Sequence, residues 1–295
     1  MKRILTAVLL IPLVLLVIFQ APVGILAVIV AAVALLTARE FFDITAAYGV
    51  EPQRTAVYVA ILVVFLYCGT LSTRPVSDIG SFGVAVVAAA ALVPFVFLAL
   101  AMRRAELGSA FPAAATSVFA FGYIGLPLLL LVQLRQQWAG VFLILYLFVV
   151  VWSGDTFAYY VGRSLGKHKM SPRVSPKKTW EGAAGSLVGS VALGSLMMWY
   201  AYPISDFLIR HRLIARQQGY YLAEKPDMLA VMVITVLLNL AAQLGDLVES
   251  AIKRGADVKD SGPILPGHGG LLDRIDALLF AIPVLWAYAA YKTMG

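Results

Sequence analysis

The sequence predicts an all-α polytopic integral membrane protein, with about nine transmembrane helices and a polar cavity facing the cytoplasm. Three observations lead there. Of the 295 residues 61% are hydrophobic and only 13% charged, too apolar a chain for a soluble domain. Apolar runs near membrane length recur between charged or Pro/Gly breaks. The basic residues fall unequally on the two sets of alternate loops.

Lys2 and Arg3 open the first run, near 4–19; no small-residue cleavage site follows and a second run starts at once, so it reads as a retained span. The tight turn Gln20, Ala21, Pro22 also allows this run to form a shallow hairpin with the second, near 22–38. Three further runs, near 55–72, 80–102 and 111–133, offer little but hydropathy. The sixth, near 139–161, carries Asp155 and Thr156 within a turn of Tyr159, so a polar face points into the protein. A basic loop leads to the seventh, near 182–203. In the following loop, 204–227, Phe207, Leu208, Leu213 and Ile214 alternate with basic residues, as in an interfacial amphipathic helix. The eighth and ninth runs, near 228–248 and 271–291, enclose the densest cluster of charge.

With the N-terminus in the cytoplasm, Arg74, Arg135, Arg210, Arg212, Arg216, Lys225 and Lys292 lie outside and the other 16 of the 23 Lys/Arg lie inside. That bias sets the orientation, in a bacterial-type inner (cytoplasmic) membrane. The net charge of +7 therefore reports topology rather than nucleic acid, and is compatible with an anionic substrate. A single cysteine, Cys68, can form no internal disulfide.

Glu249–Asp276 packs ten ionisable residues between two apolar runs. Gln243, Asp246, Ser250 and Lys253 share one helical stripe, with Glu249 beside it. Asp273 and Asp276, three apart, also point one way, and the Gly/Pro-rich turn 262–270 folds the ninth run back along the eighth. Three carboxylates then converge and repel unless a cation sits among them, which suits Mg²⁺, alone or with a second cation. The alternative is an ion network without chemistry, Asp273 pairing with Lys253 or Arg254 and Asp276 with Arg274. Upstream, Lys177 and Lys178 precede a helix that starts near Thr179, and ammonium charge beside free N–H groups makes an anion site. Ordinary positive-inside residues are the competing reading. The string Gly162–Lys167 only imitates a phosphate loop, being one residue short and following a membrane helix.

Taken together, Ser250, Lys253, Arg254, Lys259, Asp260, Pro266, His268, Gly269, Gly270, Asp273, Arg274 and Asp276 resemble the signature of the phosphatidate cytidylyltransferases, or CDP-diacylglycerol synthases. The block from Asp155 through Tyr159, Gly162, Arg163, Ser175, Pro176, Lys177, Lys178, Thr179 and Glu181 is similar to that family too. The resemblance spans 152–276 and implies CTP and phosphatidate reacting to CDP-diacylglycerol and pyrophosphate. It implies Asp246, Asp273 and Asp276 as metal ligands and, with Lys253 and Arg254, as catalytic residues. Ser175, Lys177, Lys178, Thr179, Ser250, His268 and Arg274 are the implied substrate contacts. Residues 1–75 then form N-terminal membrane helices and 76–295 the catalytic membrane domain. Membrane lipids are the remaining partner, and a homodimer is left open. A cytidylyltransferase for another lipid phosphate, such as an isoprenoid ether lipid, is the nearest rival. A transporter needs neither the basic loop nor the H-G-G turn, and the D-G-x-x-A-R string of CDP-alcohol phosphotransferases is missing.

Overall fold

The computed structural model describes residues 12–71, 79–220, 226–264 and 269–294, and these are mostly helical, as the hydropathy predicts. Among them, seven segments are long and apolar enough to cross a membrane: Val23–Ala46, Phe82–Ala101, Leu107–Gln136, Gly140–Ser164, Trp180–Trp199, Met228–Gly255 and Leu272–Lys292. They fall on the second and the fourth to ninth expected runs. Arg54–Tyr67 is a shorter apolar helix at the third. Residues 4–11, half of the first expected run, lie outside the described residues. The chain divides into two compact units.

The first unit comprises Met1–Leu15, Ala21–Gln133 and Ile252–Ile275. Helix α1 (Val23–Ala46) starts behind Pro22, whose missing N–H costs nothing where a helix has no partner to offer it. It is followed by α2 (Arg54–Leu71), α3 (Ile79–Ala101) and α4 (Ala110–Ala120). A π-helical turn, Phe121–Gly125, joins α4 to α5 (Leu126–Gln136). Pro127 has no N–H for the carbonyl of Tyr123, and a widened turn accommodates that missing rung. Ala34 and Ala38 are fully buried and let α1 come close to its neighbours. Phe41, Phe42, Tyr58, Phe119 and Tyr123 form an aromatic cluster with ring centroids 5.2–6.2 Å apart.

The second unit comprises Leu16–Gln20, Leu134–Ala251 and Asp276–Gly295. Helix α6 (Gly140–Ser164) leads into β1 (Lys169–Ser171) and β2 (Ser175–Thr179), then α7 (Trp180–Trp199) and α8 (Ala201–Arg210). The eighth and ninth runs become α9 (Met228–Gly255) and α10 (Leu272–Met294). α6 and α7 run antiparallel at very short range, and glycine permits it. An added Cβ at Gly185 would come within 2.7 Å of the Val161 side chain, and one at Gly154 within 2.9 Å of both Ser186 and Ser190. At Gly245 the carbonyl oxygen of Asp276 lies 2.5 Å from where a Cβ would stand, so α9 and α10 also touch backbone to backbone.

Two details correct the expectation. The fold is not purely helical: β1 and β2 pair antiparallel, with Lys169 opposite Thr179 and Ser171 opposite Ser175. Pro176 is tolerated because a two-stranded ribbon leaves each strand an unpaired edge. The seventh run also breaks at Tyr200, after which α8 buries Ala201, Ser205 and Leu208 and exposes Tyr202 and Phe207. This amphipathic helix begins three residues before the loop in which one was expected.

Candidate active site

The two lysines of the basic hairpin differ in how far they are enclosed: along β2 Lys177 is exposed and Lys178 half-buried. The Lys178 ammonium sits 2.7 Å from Asp246 Oδ2, and Ser250, one turn further along α9, donates its hydroxyl to Asp246 Oδ1 at 3.3 Å. Lys178 and Asp246 line a cavity of about 570 Å³, a size typical of ligand sites. Its wall combines Asp155, Tyr159 and Arg163 of α6, Lys169 and Lys177 of the hairpin, Thr179 and Ser186 of α7's start, and Gln243. Four basic side chains and two carboxylates thus share one concave surface. With side-chain exposures of 26% and 39%, the Lys178–Asp246 pair is worth little as a stabilising contact. Its charges remain accessible to a polar ligand.

Helix α7 starts where predicted, but its end is partly occupied. Thr179 is the N-cap, its Oγ1 accepting from the Gly182 N–H at 3.1 Å, and the Trp180 N–H donates to the His168 carbonyl at 3.0 Å. Glu181 grips the start of the hairpin, with Oε1 2.6 Å from His168 Nδ1 and 3.2 Å from the His168 N–H. Two of the first-turn donors expected to be free for an anion are therefore committed, and the anion-binding capacity of this end rests mainly on lysine and arginine charge.

Beneath the cavity a buried polar ladder runs between α6, α7 and α9. Ser190 Oγ donates to the Val150 carbonyl at 2.7 Å. Asn239 Nδ2 donates to the hydroxyls of Ser190 and Ser186, each at 2.8 Å. Gln243 Nε2 donates to Asn239 Oδ1 at 2.6 Å and to the Ala183 carbonyl at 3.4 Å. Ser190 and Asn239 are almost wholly buried, which makes unsatisfied atoms there expensive and explains the full pairing.

The first unit holds a second charged cluster. Lys253 Nζ lies 2.5 Å from Asp273 Oδ1, with side-chain exposures of 11% and 7%. Asp273 Oδ2 accepts from the N–H groups of Gly270 at 2.7 Å and Ser261 at 2.9 Å. Glu40 of α1, 3% exposed, accepts from the Ser261 hydroxyl at 3.1 Å and from the N–H groups of Leu271 and Leu272 at 2.9 and 2.8 Å. A carboxylate at those N–H groups satisfies the orphan donors of α10 and complements its dipole. Gly270 has no room for a side chain, since its Cβ would collide with the Ser261 hydroxyl and the Glu40 carboxylate.

Of the residues singled out in the sequence, Asp246, Lys177, Lys178 and Thr179 line the cavity, and Ser250 bonds to Asp246. Ser175 is half-buried in β2. Asp273 has the Lys253 partner that the ion-network alternative assigned to it. Arg254 donates to the Val258 carbonyl at 3.1 Å, Arg274 is exposed, and Asp276 Oδ1 accepts from the Ala277 N–H at 2.8 Å. His268 lies outside the described residues. Among those residues no three His, Cys, Asp or Glu side chains form a group that would hold a metal ion. Sequence reading missed Glu40, because the second run was ended at residue 38 while α1 continues to Ala46. The apolar Phe41, Phe42 and Ile44 beyond it were the available signal. Asn239, Ser186 and Ser190 were missed because neutral polar residues spaced along apolar helices announce no partner.

A model of the family described as the cytidylyltransferase family matches residues 1–292. The phosphatidate cytidylyltransferase of Staphylococcus saprophyticus is 41% identical over 172 residues, covering 58% of this chain and 57% of that protein. The Bacillus subtilis protein of the same name is 42% identical over 165 residues, covering 56% and 54%, and that of Staphylococcus haemolyticus 40% over 172 residues, covering 58% and 57%. The chain thus spans little more than half the length of the curated relatives it matches.

Proposed function

The chain belongs to the cytidylyltransferase family, and from that premise we propose that it transfers CMP from CTP to phosphatidate, releasing pyrophosphate and supplying CDP-diacylglycerol for phospholipid synthesis. The observation that carries this reading is the cavity in which Arg163, Lys169, Lys177 and Lys178 surround Asp155 and Asp246. A phosphate monoester has its second pKa near 6, so phosphatidate is largely a dianion at neutral pH and needs little help from a base. Its oxygen attacks the α-phosphorus of CTP, and the bond to the β-phosphate oxygen breaks as pyrophosphate leaves. The obstacle is repulsion between two anions. Preorganised ammonium and guanidinium groups relieve it without reorganising at the moment of reaction.

Lys177 and Lys178 hold the β- and γ-phosphates, with Lys253 and Arg254 assigned to the same task from their place in the signature. The signature also assigns Mg²⁺ to Asp246, Asp273 and Asp276, whose hard carboxylate oxygens suit it. When bound, the cation supplies charge neutralisation between lipid and nucleotide phosphates. The test is direct: purified protein in lipid–detergent micelles, given CTP, Mg²⁺ and phosphatidate, should form CDP-diacylglycerol by mass spectrometry. Product from an isoprenoid ether lipid phosphate and none from phosphatidate would move the assignment to the rival substrate.

We further infer that the cavity opens to the cytoplasm, on the strength of the 16 to 7 distribution of Lys/Arg over alternate loops. A cysteine introduced as Ser171→Cys in β1 should resist an impermeant thiol reagent in sealed right-side-out membranes and react after permeabilisation. Labelling in the sealed membranes would reverse the orientation.

A further inference from the structure

The ladder below the cavity has a direction, and that direction reaches the ligand. Val150 contributes a backbone carbonyl, which can only accept, so the Ser190 hydroxyl spends its one hydrogen on it. Ser190 Oγ can then only accept from Asn239, which places the Asn239 NH₂ group toward the two serines and its Oδ1 toward Gln243. Gln243 must answer that oxygen with its own NH₂ group, whose other hydrogen points to the Ala183 carbonyl, a second pure acceptor. Each step permits one polarity, and a flipped amide at either position would set two acceptors face to face. Gln243 lines the cavity, and its Oε1 accepts no hydrogen bond from the described residues.

We propose that Gln243 Oε1, locked as an acceptor by the Val150–Ser190–Asn239 relay, reads the exocyclic amine of the cytosine base of CTP. The inference rests on the cytidylyltransferase reading and deepens it. Cytosine carries an amine donor at C4 where uracil carries a carbonyl acceptor. An oxygen that cannot turn away welcomes the first and repels the second. Rigidity matters here, because a free glutamine would rotate its amide and serve either base. A site built around one fixed hydrogen-bonding group discriminates strongly, since the wrong ligand leaves a buried polar atom unpaired.

The experiment measures kcat/KM for CTP and for UTP, with phosphatidate as acceptor, in the full-length wild type, Gln243→Met and Gln243→Glu, with folding checked by thermal unfolding. Methionine fills a similar space with no oxygen to accept from the base, only a weakly accepting thioether, and the preference for CTP over UTP should fall about tenfold or more. Glutamate keeps oxygens toward the cavity while losing the donor to Asn239, so its CTP to UTP ratio should stay near wild type even if both rates drop. A merely structural role would lower both nucleotides alike in both variants. An unchanged ratio in folded Gln243→Met overturns the proposal. If that variant does not fold, a lost ratio in folded Gln243→Glu overturns it. A wild type that turns over UTP as well as CTP sinks this inference alone, whereas a wild type that forms no CDP-lipid from CTP sinks the functional reading beneath it.

Discussion

Asp246→Asn is expected to lower turnover with CTP and phosphatidate by about a hundredfold or more, the scale of losing one preorganised charge at a phosphoryl-transfer site. Asparagine keeps the size and an oxygen for Ser250, but it gives up the charge that holds Lys178 at 2.7 Å in the cavity. Stability should move little, because the pair is half exposed and such pairs contribute under about 1 kcal/mol. The loss is therefore separable from unfolding. Lys178→Gln should also be impaired, and the double variant should be hardly worse than Asp246→Asn, because residues that act as one unit are non-additive. Rates measured across a Mg²⁺ titration, with melting curves beside them, check this. A folded Asp246→Asn variant with wild-type turnover and an unchanged Mg²⁺ requirement would reduce Asp246 to a surface ion-pair partner.

The largest expected effect on stability belongs to the first unit. Asp273→Ala takes one carboxylate from the Lys253 ammonium, 11% exposed, and strips the acceptor from the Ser261 and Gly270 N–H groups. Breaking a buried pair from one side costs about 3–5 kcal/mol. Replacing both partners, as Lys253→Met with Asp273→Leu, should unfold at a higher temperature than either single change, since neither charge of the pair then remains. Glu40→Ala should fall between, because it deprives Ser261, Leu271 and Leu272 of one shared acceptor group, while Glu40→Gln retains an oxygen and should be milder. Thermal unfolding in detergent ranks these variants against the wild type. Melting of Asp273→Ala at the wild-type temperature would mean that this carboxylate has no structural role, and would leave it only the proposed role in cation binding.

Membrane class, the positions of most apolar helices and the shared polar face of Gln243 and Asp246 were legible in the sequence, because hydropathy and helical period are local and survive without knowledge of neighbours. So was the start of α7 at Thr179, because a cap is chosen by residues within one turn. What only the tertiary structure decided is which partner each polar group meets. Nothing in the run around Glu40 announces that its carboxylate closes the N-terminus of α10, 231 residues away. Nor does the spacing of Ser190, Asn239 and Gln243 reveal that hydrogen-bond polarity passes from a backbone carbonyl to a cavity. Asp273, legible as one of several converging carboxylates, turns out to hold a lysine and two backbone donors. A carboxylate's chemistry is written in its side chain, but its use depends on the donors that distant segments bring within about 3 Å, and that distance is a property of the packed chain.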